Sequence, residues 1–353
     1  MSDERDPLAG RIPVTLITGF LGSGKTTLLS RLVRHPSMAR AAVVINELGE
    51  VGIDHDLVTM SSENIALLAN GCICCSVRTD LQETLRDLFA RRRVGELPDF
   101  DRVIVETTGL ADPAPVVQTL ASDTLLAAQF RLDGLVTLVD ALNLTTQLAY
   151  HAEPAKQIAL ADRLIVTKSD LVDAVQLDRV LAAVRDINPG AKTSLALHGE
   201  IDPAELTGLG LGTSRAGPAT LSFLGAELSG DSDSDAGGRT LARRSPLHDA
   251  GIRTHVLRFD APFTWNAFSS ALELLATLRG PDMLRVKGIV NVEGQPVVVQ
   301  GVQHIFHPPV TLDRWPSADT GTRLVFITRH IEAAVIRNLL QAVAATSTPA
   351  SPG

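Results

Sequence analysis

Short apolar runs alternate with helical segments over the first two hundred residues of the chain. These runs are continuous, without the alternation of apolar and polar positions that is typical of a strand with one face in water. Continuous apolar strands separated by helices predict a doubly wound, mostly parallel α/β sheet that is covered by helices on both faces. The predicted strands are Ile12–Thr18, Ala41–Ile45, Arg102–Val105, Leu135–Val139, Leu164–Thr167 and Thr193–Leu197.

The pattern changes from about Gly225 to Gly251, where the chain is polar and acidic and carries repeated serine, aspartate and glycine. Such a segment has nothing to pack and predicts a flexible linker. Beyond it, strands and helices mix in the order of an α+β domain. We therefore expect an α/β domain over residues 11–224, a linker over 225–251 and a smaller α+β domain over 252–346. The elements predicted for this second domain are strand Ile252–Phe259, helix Thr264–Leu278, strands Met283–Val292, Pro296–Phe306 and Arg323–Thr328, and helix Ile331–Ala344.

The composition narrows the class of protein. At 353 residues the chain exceeds the usual size of one core, in agreement with two domains. A net charge of −8 argues against nucleic acid as a partner, because phosphate binding needs a basic face. No apolar run approaches the roughly 18 residues that span a bilayer, and the acidic amino terminus does not resemble a signal peptide. We expect a cytoplasmic protein without a membrane partner.

A glycine-rich loop follows the first predicted strand and matches the phosphate-binding pattern G-x-x-x-x-G-K-[ST]. Its glycines allow backbone N–H groups to curl around phosphates, aided by the N-terminus of the following helix. Lys25 is expected to bridge the β- and γ-phosphates, and the Thr26 hydroxyl is expected to ligate Mg²⁺. The residues assigned to nucleotide binding here are Gly19, Gly22, Ser23, Gly24, Lys25, Thr26 and Thr27.

Glu106-Thr-Thr-Gly109 follows the third predicted strand, where a P-loop protein places its second phosphate-sensing segment. An acid there can hold Mg²⁺ directly or through water, and the Gly109 N–H can detect a γ-phosphate. We assign catalytic roles to Glu106 and Gly109, together with Lys25 and Thr26. The next helix is predicted to start at Asp112-Pro113, an acceptor side chain followed by proline.

Thr167-Lys168-Ser169-Asp170 closes the strand Leu164–Thr167 and is interpreted as the base-recognition segment. The Asp170 carboxylate can accept both N–H donors of the Watson–Crick edge of guanine, and adenine offers no such pair. The Lys168 stem can lie across the base. Thr167 stands where the common form of this motif has asparagine, which is expected to weaken nucleotide affinity.

The three cysteines of the chain, Cys72, Cys74 and Cys75, lie within four positions. Thiolate is a preferred ligand of Zn²⁺ and Cu⁺, so the cluster predicts a metal site. Three thiolates at this spacing cannot all point the same way in regular structure, and we expect an irregular turn. Glu47 is the candidate additional ligand that we assign, and Glu50 and His55 are further candidates. A redox-sensing thiol pair and buried apolar cysteines are the alternatives.

These motifs together resemble the CobW-type P-loop GTPases, a family of nucleotide-driven metallochaperones and cobalamin-pathway proteins. The resemblance covers nearly the whole chain, because a stretch near its end also looks like the C-terminal domain of that family. It implies GTP hydrolysis with Mg²⁺, binding of Zn²⁺ or Co²⁺ at the cysteines and delivery to a client metalloprotein. The matching segments are Gly19–Thr26, Asn46–Gly52, Gly71–Cys75, Glu106–Pro113, Thr167–Asp170 and Val299–Phe306.

The functional hypothesis is a GTPase in which GTP and metal occupancy are linked. GTP would order the segments Asn46–Asp54 and Glu106–Pro113, and hydrolysis would release the metal. We expect a monomer or a weak dimer that depends on nucleotide or metal. Two alternatives stay open, namely a P-loop ATPase or kinase with redox-sensing cysteines, and a non-catalytic metal store.

Overall fold

The computed structural model describes residues 10–45, 58–62, 65–68, 73–76, 81–211 and 251–346, and between 58 and 76 it describes the backbone of three short strands. These residues fall into two compact units. One unit comprises Leu8–Val184 and Ala191–Gly212, and the other takes in Arg185–Gly190 and the described residues from 251 onward. The expected linker, apart from Gly251, lies outside the described residues, so its character stays a prediction.

The first unit is built on a nine-stranded sheet with the order β3-β4-β5-β2-β6-β1-β7-β8-β9. Its seven strands from β5 to β9 in that order pair in parallel, and β3 and β4 extend the sheet with antiparallel pairing. The strands are β1 (Ile12–Gly19), β2 (Ala41–Ile45), β3 (Val58–Ser62), β4 (Ile65–Leu68), β5 (Ile73–Ser76), β6 (Arg102–Glu106), β7 (Phe130–Asp140), β8 (Arg163–Thr167) and β9 (Lys192–Ala196).

Seven helices accompany these strands in the described part of this stretch of chain. They are α1 (Lys25–Leu32), α2 (Leu81–Arg93), α3 (Ala114–Ser122), α4 (Thr124–Gln129), α5 (Leu144–Tyr150), α6 (Glu153–Leu160) and α7 (Ala174–Ile187). A buried apolar cluster joins α1 to the strands around it and includes Leu28, Leu32, Ile17, Val43 and Ile165. This packing fixes the start of α1 at the carboxyl end of β1.

The order of the strands places the segments with the candidate functional residues at one edge of the sheet. The chain moves from β1 toward β2 on one side and from β6 toward β7 on the other, with β1 between β6 and β7. In open α/β sheets, ligands bind outside the carboxyl ends of the strands where the winding changes direction. The segments that follow β1, β6 and β8 all leave the sheet at this edge.

The second unit is an antiparallel sheet with two long helices. The strand order is β10-β15-β11-β12-β13, and β14 pairs with β12. Buried residues of the sheet and of both helices form one apolar core, which includes Phe268, Leu272, Val286, Phe326 and Leu340. The elements are β10 (Ile252–Phe259), α8 (Trp265–Arg279), β11 (Met283–Val292), β12 (Gln295–Val302), β13 (Ile305–Phe306), β14 (Val310–Thr311), β15 (Thr322–Arg329) and α9 (Ala333–Thr346).

The predicted fold class is confirmed, and one predicted element is wrong. The expected single strand Pro296–Phe306 is two strands, β12 and β13. Gln303 between them has a φ of 55°, and the chain turns back so that Phe306 pairs with Gly301. Among the described helices, none has the length and apolar character needed to cross a membrane.

Candidate functional site

The loop between β1 and α1 has the backbone that its glycines predict. Gly19, Gly22 and Gly24 have φ values of 147°, 74° and 92°, a region that side-chain-bearing residues rarely adopt. A Cβ at Gly19 would stand 2.6 Å from the Leu138 carbonyl oxygen and 2.6 Å from Ser23 Oγ. A Cβ at Gly22 would meet nothing within 4 Å, so that position needs glycine for its conformation.

Polar groups of the loop fit an anionic ligand. Lys25 is buried, and its Nζ donates to the Gly19 carbonyl at 2.9 Å and to the Phe20 carbonyl at 3.4 Å, so the ammonium is held over the loop. Ser23 Oγ is buried without a hydrogen-bond partner among the described residues. Thr26 and Thr27 are exposed in the first turn of α1. A cation, a buried hydroxyl and a helix N-terminus together suit a phosphate chain. The role of Thr26 as an Mg²⁺ ligand stays a prediction.

The segment after β6 lies against this loop. A Cβ built on Gly109 would stand 2.8 Å from the backbone nitrogen and 2.9 Å from the Cα of Leu21. Thr107 is joined to β1, because its N–H donates to the Ile17 carbonyl at 3.0 Å and its hydroxyl to Thr18 Oγ1 at 2.9 Å. Glu106 is buried at the end of β6. The structure thus brings the Gly109 segment and the phosphate loop into contact.

Helix α6 holds the Gly109 segment from its other side. Gln157 Nε2 donates to the carbonyl oxygens of Gly109 at 3.1 Å and Ala111 at 3.2 Å. Lys156 Nζ forms an ion pair with Asp112 at 2.6 Å, and Asp112 Oδ1 accepts the Ala114 N–H at 3.0 Å. The predicted helix therefore starts one residue later than expected, at Ala114. No local pattern identified the two α6 residues.

Thr167 ties the base-recognition segment to the phosphate loop. Its hydroxyl lies 2.8 Å from the Ser23 carbonyl and 3.2 Å from the Val139 carbonyl, and it donates to these oxygens. A Cβ at Gly24 would lie 3.9 Å from the Thr167 side chain. Thr167 therefore supports the loop and is buried below it.

Lys168 has a left-handed backbone with a φ of 57° and an ion pair that the sequence did not reveal. Its Nζ lies 2.7 Å from Asp140 Oδ2 at the end of β7. Asp140 is buried and also accepts the Leu142 N–H at 2.9 Å and the Asn143 side-chain amide at 2.9 Å. This pair fixes the Lys168 stem beside the segment. Its placement across the base stays a prediction.

Asp170 is partly exposed, and its carboxylate lies 3.9 Å from His198 Nε2 in the loop after β9. A Cβ at Gly199 in the same loop would stand 2.9 Å from the Thr27 carbonyl oxygen. The loop after β9 therefore reaches both the first turn of α1 and the base-recognition segment. Its position directly after a predicted strand is the signal in the sequence that could have identified this loop.

The cysteine segment is only partly described. Ile73–Ser76 forms β5, which pairs in parallel with β2 and antiparallel with β4. The expected irregular turn is thus wrong for Cys74 and Cys75, because both edges of their backbone are paired. Cys72 and Glu47, together with Glu50 and His55, lie outside the described residues. Within the described residues, no group of three histidine, cysteine or acidic side chains could hold a metal ion.

Comparison with known proteins matches each of the two units to a known domain family. The model of the CobW/HypB/UreG nucleotide-binding domain matches residues 13–194, and the model of the cobalamin synthesis protein CobW C-terminal domain matches residues 252–344. The chain is 32% identical to the zinc chaperone YjiA of Escherichia coli over 90% of this chain and 93% of that protein. It is 34% identical to the zinc-regulated GTPase metalloprotein activator 1 of Schizosaccharomyces pombe over 56% of this chain and 49% of that protein.

A solved structure agrees with these matches. The crystal structure of Zn(II)-bound YjiA GTPase from Escherichia coli superposes with a TM-score of 0.73 and 30% identity, covering 94% of this chain and 99% of that one. The phosphate loop, the Gly109 segment and the base-recognition segment lie at the carboxyl edge of a sheet with this fold. The chain therefore belongs to the CobW/HypB/UreG family of nucleotide-binding proteins and carries the CobW C-terminal domain.

Proposed function

We propose that the chain is a GTP-hydrolysing metallochaperone that binds Zn²⁺ or Co²⁺ at its cysteine segment in a nucleotide-dependent way. Family membership and the phosphate loop support the GTPase activity. The names of the two relatives, a zinc chaperone and a zinc-regulated metalloprotein activator, support zinc as the metal and a client metalloprotein as the recipient. The clustered cysteines suit a reducing cytoplasm, and a monomer or weak dimer is proposed.

In this proposal, residues of the phosphate loop and of the segment after β6 catalyse the hydrolysis of GTP. Lys25 and the backbone N–H groups after Gly19 would bind the phosphates, and Gly109 would present an N–H to the γ-phosphate. Mg²⁺ would be held by Thr26 and, directly or through water, by Glu106, and it would offset the negative charge of the transferring group. Asp170 would select guanine.

The register of the sheet is the observation that supports the coupling. Ile45 at the end of β2 pairs with Ser76 of β5 on one side and with Glu106 of β6 on the other. Neighbouring strands lie about 5 Å apart, so the backbone of Ser76 in β5 lies about 10 Å from that of Glu106 in β6, with β2 between them. Strand β2 ends between them at Ile45, and Asn46–Asp54 follows it in the sequence. A conformational change at the γ-phosphate therefore has only a short distance to cover to reach the cysteine segment.

A metal titration tests the coupling. Zn²⁺ and Co²⁺ are titrated by calorimetry into protein saturated with GTPγS or with GDP. We expect the affinity for the metal to be about fivefold or more higher with GTPγS. Cys74→Ser should remove the tight binding in both nucleotide states. Equal affinity in the two states would contradict the coupling, and affinity indifferent to Lys25→Ala would favour a non-catalytic metal store.

Competition between nucleotides tests the class of NTPase. GTP should displace a fluorescent GDP analogue, and ATP at the same concentration should not. Asp170→Ala should lose this discrimination, because the carboxylate is the group that accepts the two guanine N–H donors. Displacement by ATP as strong as that by GTP would favour the ATPase or kinase alternative.

A further inference from the structure

We propose that Gln157 is a positioning residue for GTP hydrolysis that sets the orientation of the Gly109 backbone through helix α6. This inference rests on the proposed function, in which Gly109 detects the γ-phosphate. Gln157 is 1% exposed and lies 48 residues from Gly109 in the sequence. It is not part of any of the sequence motifs.

Two hydrogen bonds from one amide fix the path of the segment. Gln157 Nε2 donates to the carbonyls of Gly109 and Ala111 at 3.1 and 3.2 Å. The C=O and N–H of a trans peptide point in opposite directions, so fixing the Gly109 carbonyl also fixes the direction of the Leu110 N–H. The Leu110 N–H is thereby aimed away from α6, and the hydrogen bond to the Gly109 carbonyl holds the Gly109 backbone in place.

Gln157 is itself anchored beside the phosphate loop. Its backbone carbonyl accepts the Thr137 hydroxyl at 2.9 Å, and Thr137 pairs with Thr18 at the end of β1. On the opposite side, Gly109 is in contact with Leu21, where a Cβ would approach the backbone to 2.8 Å. Gly109 is therefore held between the phosphate loop and a side chain that is fixed to the same strand pair.

Two further features distinguish this contact from ordinary packing. Gln157 Oε1 is buried without a hydrogen-bond partner among the described residues, and an unpartnered buried acceptor lowers stability. An apolar side chain of the same length would avoid that cost, so the amide is present for its donors. The preceding residue, Lys156, pairs with Asp112, so α6 holds both ends of the segment.

Gln157→Met tests the proposal, because methionine keeps the length and removes both donors. The kcat for GTP, the Kd values for GTPγS and GDP, and the Tm are measured. We expect kcat to fall between about tenfold and a hundredfold, as for a misplaced catalytic group. The Kd for GTPγS should rise about fivefold or more while the Kd for GDP stays unchanged, because GDP has no γ-phosphate.

Gln176→Met is the matched control. Gln176 on α7 also donates its amide to two backbone carbonyls, those of Ala141 at 3.4 Å and Leu142 at 3.3 Å. Gln176→Met should have the same kcat and the same ratio of the GTPγS Kd to the GDP Kd as the wild type. If Gln157→Met does not fold, Gln157→Asn serves instead, because its amide is one methylene too short to reach both carbonyls.

Unchanged kcat and an unchanged ratio of Kd values in the Gln157 variant would overturn the inference. So would equal weakening of GTPγS and GDP with a lowered Tm, which indicates a structural role alone. Gly109→Ala separates the two proposals. If Gly109→Ala leaves the ratio unchanged, the γ-phosphate role of Gly109 fails. If Gly109→Ala raises the ratio of the GTPγS Kd to the GDP Kd and Gln157→Met does not, only the role of Gln157 fails.

Discussion

Thr167 shows how a single buried residue can support the phosphate loop. Its hydroxyl donates to the Ser23 and Val139 carbonyls, and it stands where the common motif has asparagine. Thr167→Val keeps the shape of the side chain and leaves the Ser23 carbonyl without this donor. Losing a buried hydrogen bond costs about 1–3 kcal/mol, so the Kd values of GTP and GDP should both rise roughly tenfold.

Calorimetric titration of the two nucleotides measures this effect. Thr119→Val is the control, because the Thr119 hydroxyl also donates to a carbonyl, that of Pro115 at 3.1 Å, but on the exposed face of α3. It should bind both nucleotides as the wild type does. Wild-type affinity in Thr167→Val would show that the hydroxyl does not support the loop.

His255 makes the stability of the protein depend on pH. Burial lowers the pKa of His255 below its ordinary value of 6.5, although a hydrogen bond from Nε2 to the Ile331 carbonyl and the charge of Glu332 act in the opposite direction. Over the pH range between the two pKa values, His255 is therefore protonated in the unfolded chain and neutral in the folded chain. This stabilisation is fully present above about pH 6.5 and is lost as the pH falls below it.

We expect the Tm to decrease by a few degrees between pH 7.5 and 5.5, measured by calorimetry. His255→Gln has no group that titrates there, so its Tm should fall less over the same range. His330→Gln is a control at another histidine of the same unit. An equal decrease in the wild type and in His255→Gln would contradict the assignment.

At the scale of elements, the local pattern predicted several strands well. The predicted and observed bounds of β2, β10 and β11 coincide. Strand β2 is a continuous apolar run, β10 follows Gly251 and β11 follows Pro281 and Asp282, so local signals mark where these strands begin. The antiparallel pair β3 and β4 was not predicted. Its strands, Val58–Ser62 and Ile65–Leu68, are too short to show a clear period, and the pairing of β4 with β5 depends on the tertiary structure.

Asp123 joins two helices and carries a prediction at this scale. Its Oδ1 accepts the Leu125 and Leu126 N–H groups at the start of α4, and its Oδ2 accepts from Gln82 and Arg86 of α2. The Leu126 N–H and the Arg86 charge hold the pKa of Asp123 below its ordinary value, against the effect of burial. Asp123→Ala should lower the Tm by about 2–4 °C near pH 7, as expected for a lost helix cap.

The sign of the pKa shift gives the check on this prediction. A carboxylate with a lowered pKa stabilises the fold above the pKa of the unfolded chain, and that stabilisation is lost as the pH falls toward the folded value. The difference in Tm between wild type and Asp123→Ala should therefore shrink below about pH 4. Asp202→Ala is the matched control, since Asp202 caps a short exposed turn at the Ala204 N–H. A difference that stays constant with pH would contradict a role for the ionised form.

At the scale of the whole molecule, the proposed coupling must be reciprocal. If GTPγS tightens Zn²⁺ binding by a given factor, Zn²⁺ must tighten GTPγS binding by the same factor, because both paths lead to the same doubly bound state. We expect the Kd of GTPγS, measured with and without saturating Zn²⁺, to change by the factor found in the metal titration. Cys74→Ser should show no change. Two unequal factors would mean that the binding scheme contains a further metal or nucleotide site.

The sequence by itself determined the class of fold and the position of the glycine-rich loop. Glycines at left-handed positions, a cation after them and continuous apolar strands are local properties, so Gly19–Thr26 and the strand before it could be read directly. The tertiary structure decided which distant residues support them. Gln157 beside Gly109, Asp140 beside Lys168 and the pairing of β5 with β2 all depend on strand order, because contacts between residues far apart in sequence leave no period or spacing in the local pattern.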